Sequence, residues 1–192
     1  MLKGKFISFE GIDGSGKTTQ IKLLNDKLLL SGQKTVIYRE PGGTKISEKI
    51  RNILLDKNNL DLCDNSESLL FFASRHQLLL KEIIPSLDKG FFVLCDRFND
   101  STIAYQGYGK DGNIASLRNI SDFVIKKRQP DMTFYLDIDV KLSIKRRKLL
   151  INDRIEEKGI RYLKKVRKGF LTLAKEHPRR IYVLEGSSNK EK

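Results

Sequence analysis

Cysteine is scarce in this chain of 192 residues: there are two, Cys63 and Cys95. They lie far apart, and Cys95 sits inside an apolar run. That usage argues against a disulfide scaffold or a zinc site and suits a reducing cytoplasm. Histidine is just as scarce: His76 and His177 stand alone on segments that read as helices, as surface or packing residues rather than catalysts. Also missing are an apolar run long enough for a signal peptide or a membrane span, a Pro-, Gly- or Ser-rich linker, and any internal repeat. One domain over 1–192, with one sizeable core, is therefore expected. Acidic residues are in deficit, 24 against 37 Lys and Arg, for a net charge of +13. Such an excess invites a nucleic-acid reading. Much of it gathers at Arg128, Lys141 to Lys148 and Arg161 to Lys168, on helix-like segments, and no basic motif with interleaved aromatics appears. A solvated lysine-rich surface with a site for anionic small molecules fits better, so nucleic acid is not expected as a partner.

What the chain does have is a strand-like Lys5 to Glu10, then Gly11-Ile12-Asp13-Gly14-Ser15-Gly16-Lys17-Thr18-Thr19, then a helical pattern from about Lys17. This is the G-x-x-x-x-G-K-[ST] phosphate loop in its required strand–loop–helix context. Gly11, Gly14 and Gly16 permit positive φ and close backbone approach, so successive N–H groups can converge on one concavity. The helix N-terminus adds partial positive charge. Lys17 supplies a mobile cation for phosphates, and the Thr18 hydroxyl is suited to Mg²⁺. The pattern implies binding of a nucleoside triphosphate.

Apolar spacing at Ile21, Leu24 and Leu28 predicts a helix over 18–31, stopped by Gly32. Thr35 to Tyr38 reads as a strand that ends in the turn Arg39 to Thr44, and Ile46 to Leu55 as a helix carrying Arg51. A long helix is predicted over 65–87, capped by Asn65 or Ser66, with Pro85 kinking or stopping it. On it, Leu69, Phe72, His76, Leu79 and Ile83 are expected to face one way, while Phe71 and Arg75 pair at i and i+4. Phe91 to Cys95 reads as a strand buried on both faces. Helices follow over 101–106 and 113–127, then a strand over 133–138, helices over 140–148 and 155–176, and a last strand over 180–184. The alternation predicts a doubly wound, mostly parallel five-stranded sheet flanked by helices, with sites at the strands' carboxyl ends.

Asp96 closes a buried strand, where phosphate-loop proteins hold Mg²⁺ or its waters; a turn-capping aspartate is the plainer alternative. Arg97 beside it offers bidentate binding of an anion. Taken with Arg39-Glu40-Pro41-Gly42-Gly43-Thr44, Leu70-Phe71-Phe72-Ala73-Ser74-Arg75, Asp96-Arg97-Phe98, Ser101-Thr102-Ile103-Ala104-Tyr105-Gln106-Gly107 and Asp153-Arg154-Ile155-Glu156, the phosphate loop makes nearly the whole chain resemble the bacterial-type thymidylate kinases.

The resemblance implies a phosphate-loop NTPase fold with a short lid around 145–155, and transfer of phosphate from ATP to dTMP with Mg²⁺. It also implies a cytoplasmic homodimer. Residues 11–19 would bind ATP, and Thr18 and Asp96 the metal. Asp13 would hold the 3′-hydroxyl of dTMP and position its phosphate. Phe71 would stack on thymine, Arg75 donate to its O4, and Thr102 and Gln106 meet its edge. Ser101 and Arg51 would line that pocket, Tyr105 would pack against C2′, and Arg97 would grip the dTMP phosphate.

Similar enzymes carry several lid arginines and a glycine before Asp-Arg-x-Glu. Here Lys145-Arg146-Arg147-Lys148 runs into Leu149-Leu150-Ile151-Asn152. The cation that meets the charge of phosphoryl transfer is expected from Arg147 first, then Arg146 or Arg154, and last Lys148, which lacks the planar fork. Relatives usually add a final helix after Glu185-Gly186-Ser187-Ser188, so a reduced adenine pocket and packing face are expected here. The alternatives left open are another nucleoside monophosphate or deoxynucleoside kinase, a nucleotide-binding regulator, and a basic nucleic-acid module.

Overall fold

The computed structural model describes residues 4–147, 155 and 159–187. Five strands form one sheet: β1 Lys5–Glu10, β2 Thr35–Arg39, β3 Phe92–Asp96, β4 Met132–Asp137 and β5 Ile181–Glu185. Every pairing is parallel and the spatial order is β2-β3-β1-β4-β5. The interior strand β3 is an unbroken apolar run up to Asp96, as burial on both faces requires. Within β3, Val93, Leu94 and Cys95 are fully buried.

Helix α1, Lys17–Leu30, covers one face over a small core of Phe9, Ile21, Leu94 and Leu136. The other face carries a larger core in which Phe6, Phe72, Phe98, Tyr135, Leu163, Val166 and Phe170 pack. Each such side chain contributes about 1.5–3 kcal/mol relative to exposure. Over it lie α2 Lys45–Leu55, α3 Asp64–Leu78, α4 Ile84–Asp88, α5 Asn99–Thr102, α6 Ile114–Ile125, α7 Val140–Arg147 and α8 Gly159–Glu176.

Several segments depart from the sequence expectations. The long helix over 65–87 is α3 and α4 joined by a π-helical turn, Leu79–Ile83. Pro85 has no N–H to return to the carbonyl four residues back, and the wider turn absorbs the mismatch. Neither Asn65 nor Ser66 caps α3. Cys63 holds the cap position without a side-chain bond, and Asp64 and Glu67 supply negative charge in the first turn instead. Leu69 is 54 % exposed, off the buried stripe of Phe72, Leu79 and Ile83. The expected helix over 101–106 is α5 continued by a second π-helical turn, Ile103–Gly109. That turn packs on α8, and the approach is close enough that a Cβ on Gly169 would stand 2.8 Å from Tyr108 Cβ. Helix α8 starts at Gly159, whose φ is +86°, rather than at Ile155, and His177 follows the helix instead of lying on it.

Candidate active site

A cleft of about 980 Å³ opens at the carboxyl ends of the strands. Its floor is the phosphate loop. Gly11, Gly14 and Gly16 take φ of 141°, 81° and 99°, and a Cβ on Gly11 would fall 2.7 Å from the Leu136 carbonyl oxygen. Gly16 occupies the N-cap of α1 with no side chain to bond the first-turn amides, which leaves them for an anion. Asp13 through Thr19 line the cleft, whereas Gly11 and Ile12 stand behind it. Ile12 is a core residue, and the Gly11 and Ile12 carbonyls accept from Lys17 Nζ at 3.0 and 3.4 Å. Lys17 is thus tethered, only 6 % exposed, and 3.3 Å from Asp13 Oδ1. Ser15 Oγ is buried with no hydrogen-bond partner among the described residues.

Opposite the loop, β3 delivers Asp96 and Arg97. Thr18 Oγ1 lies 3.5 Å from Asp96 Oδ2, a hydroxyl and a carboxylate together at the mouth of the loop. Arg97 Nη2 donates to Asp13 Oδ1 at 2.5 Å, Nη1 reaches Ser101 Oγ at 3.4 Å, and the guanidinium carbon lies 5.0 Å from the centre of the Tyr105 ring. Burial alone would raise the Asp13 pKa, but the Arg97 and Lys17 cations outweigh it and hold the carboxyl well below the usual carboxylate range. The loop's one acid therefore balances the two cations nearest the cleft.

The far end is built from the β2 turn and α3. Phe71 faces the cleft with Arg39, Glu40, Pro41, Arg51 and Leu55. Arg39 and Arg51 each donate to the Pro41 carbonyl at 2.9 Å, on the far side of a cis Glu40–Pro41 bond. Arg75, Thr102 and Gln106 do not line the cleft; they stand behind its wall, 1 %, 1 % and 3 % exposed. Arg75 donates from Nε to Glu40 Oε2 at 2.7 Å, from Nη1 to Thr102 Oγ1 at 2.9 Å and from Nη2 to the Phe98 carbonyl at 3.0 Å. Burial raises the Glu40 pKa even with Arg75 beside it. Gln106 Nε2 donates to the fully buried Glu67, which Lys110 also meets at 2.8 Å.

The remaining wall carries Leu136, Arg146, Ile155, Leu184, Glu185 and Gly186. Arg146 Nη1 bonds the Gly14 carbonyl at 3.2 Å and the Gly186 carbonyl at 2.8 Å, tying α7 to the phosphate loop and the end of β5. The Arg147 side chain and Arg154 lie outside the described residues. The sequence reading gave no role to Glu10 or Glu67, nor any to Glu40 beyond the turn motif. The one available signal was a glutamate closing a strand, Glu10, where an apolar residue would be expected.

A family model for thymidylate kinase matches residues 9–192. The chain belongs to the thymidylate kinase family. Among its curated relatives, the thymidylate kinase of Thermoanaerobacter sp. (strain X514) is 46 % identical over 185 residues, spanning 96 % of this chain and 91 % of the relative. That of Thermosipho africanus is 47 % identical over 184 residues, spanning 96 % and 90 %. The crystal structure of thymidylate kinase from Ehrlichia chaffeensis superposes with a TM-score of 0.79 at 39 % identity, covering 98 % of this chain and 90 % of that one. The reaction of thymidylate kinases is phosphorylation of dTMP to dTDP with ATP, a step toward dTTP for DNA synthesis.

Proposed function

We propose that dTMP lies along this cleft with its phosphate at Arg97, beside the phosphate loop, and its base against Phe71, while ATP lays its phosphates over residues 13–19. The observation that carries this reading is the cleft's continuity: one cavity joins the tethered Lys17 and Arg97 at one end to Phe71 and the β2 turn at the other. Arg97 would hand its hydrogen bond from Asp13 to the acceptor phosphate and neutralise charge during transfer. Asp13, so released, would take the sugar 3′-hydroxyl. Tyr105, already under the Arg97 guanidinium, would pack on the sugar, with Ser101 beside it. On the family pattern Arg75 would donate to thymine O4 and Thr102 and Gln106 would meet the base edge, which requires the wall in front of these buried side chains to open when the base binds. Arg51 would brace the β2 turn. Of the lid cations, Arg146 stands at the loop, and Arg147 and Arg154 complete the set on the family pattern.

The donor set of Thr18 and Asp96 fits Mg²⁺, a hard cation that takes one or two protein oxygens and completes its shell with water and substrate phosphate. When bound it would neutralise the triphosphate. Exposed Ile46 and Ile53 on α2, Leu69 on α3 and Phe123 on α6 supply an apolar face on three packed helices, which supports a homodimer. Light scattering of the purified chain at a monomer's mass would overturn that assembly. Two free thiols support a cytoplasmic setting.

A coupled ADP-release assay across dTMP, dCMP, UMP, AMP and thymidine tests the reading. The expected outcome is the highest kcat/KM for dTMP. A higher value for any other acceptor would reassign the base end.

A further inference from the structure

We infer that Glu10 is a positioning residue for phosphoryl transfer: its carboxyl group, at the end of β1, holds the turn that aims Arg97 into the cleft. The inference rests on the placement of the acceptor phosphate at Arg97 argued above.

Arg97 has a φ of 69°, in the left-handed region that a non-glycine residue keeps only when its surroundings impose it. The turn is fastened on both sides. Arg97 N donates to the Phe9 carbonyl at 2.9 Å, and the next amide, Phe98 N, donates to Glu10 Oε1 at 2.7 Å. Glu10 is fully buried, so water is no substitute acceptor and removing it would orphan a buried amide. The second oxygen acts on the side chain. Ser101 Oγ donates to Glu10 Oε2 at 2.6 Å, which turns the serine's lone pairs toward Arg97 Nη1. One carboxyl group thus orders both the backbone and the guanidinium of Arg97, while Glu10 itself does not line the cleft. Burial, and next the Asp100 carboxylate, push Glu10 up to about 8. The Phe98 amide needs one acceptor oxygen, which the protonated carboxyl group still offers and which a glutamine would keep.

A core residue that only fills space is replaced better by methionine than by glutamine; a residue that positions through an acceptor oxygen behaves the other way. Glu10→Gln should keep kcat within about threefold of wild type. Glu10→Met should lose about tenfold or more in kcat and raise the dTMP KM, with the ATP KM unchanged. Combined with Arg97→Gln, Glu10→Met should add less than about threefold to the loss of Arg97→Gln alone, because both act through one side chain. If a thermal melt shows Glu10→Met unfolded, Ser101→Ala takes its place in the cycle with the same expectation. Losses that multiply, or a methionine variant as active as the glutamine one, would overturn the inference. The cycle is run on whichever monophosphate the wild type phosphorylates. A different acceptor would then revise the substrate reading alone, and multiplying losses would remove the role of Glu10 alone.

Discussion

The two ends of the cleft are built on opposite principles. At the phosphate end the charged groups face the cavity, and their partners are ones a ligand can replace: Asp13 holds Arg97 and Lys17 where phosphates would. At the base end one charged pair is packed into the wall, although Arg39 and Arg51 nearby face the cleft. Arg75 and Glu40 are each almost fully buried, and Arg75 spends its donors on Glu40, Thr102 and the Phe98 carbonyl. Phe71 alone of the base-end residues expected on α3 and the π turn meets the cavity. On the proposed placement, the phosphate would be met by exchangeable ion pairs, because its charge must be neutralised at the moment of transfer. The base would instead meet the aromatic face of Phe71 and the packed surface around it.

That difference can be broken residue by residue. The largest effect is expected at the sealed end. Arg75→Ala leaves the Glu40 charge buried without its partner and should cost about 3–5 kcal/mol of folding stability, read by denaturant unfolding, along with dTMP affinity. A variant with unchanged stability would mean that the wall is not held by that pair. At the exchangeable end Lys17→Ala should behave oppositely, losing about 10²-fold or more in turnover while its unfolding midpoint stays near wild type. Turnover close to wild type would remove the phosphate loop from the reaction.

These contrasts also mark what the sequence made legible. The phosphate loop, the strand-end Asp96-Arg97 and the five-strand alternation are local patterns, set by glycine conformation and apolar runs, and the parallel sheet follows from them. The Phe71–Arg75 spacing correctly places both on one helix, yet it carries no information that Arg75 would be closed off. Its partner Glu40 lies 35 residues away on another element, and only the folded chain brings them together. The π-helical turns were illegible for a similar reason. A shift in backbone hydrogen bonding at Leu79–Ile83 and Ile103–Gly109 is chosen by packing as much as by local propensity. Glu10 was passed over because it reads as the last residue of a strand, and its value lies in two bonds to residues far along the chain.

Smaller effects sharpen the comparison. Phe71→Ala should raise the dTMP KM about tenfold, the low end of what stacking on a base is worth, with stability and ATP KM little changed. A rise in ATP KM instead would assign this wall to the other nucleotide. The last effect is one of pH. Glu10 keeps its proton up to about pH 8 when folded, against an ordinary 4.5. The unfolded chain releases that proton first, so wild-type stability declines as pH rises through this window. Glu10→Gln lacks the group, and its melting temperature should gain about ten degrees on wild type between about pH 5 and pH 9. A constant difference across that range would mean that Glu10 ionises normally.

The most direct test follows the phosphate itself. With ATP labelled at the γ-phosphate and dTMP as acceptor, the products are separated and the label is located. Label in dTDP, matching ADP mole for mole, is the expected result. Label released as inorganic phosphate, with dTMP unchanged, would contradict transfer between the two ends of this cleft.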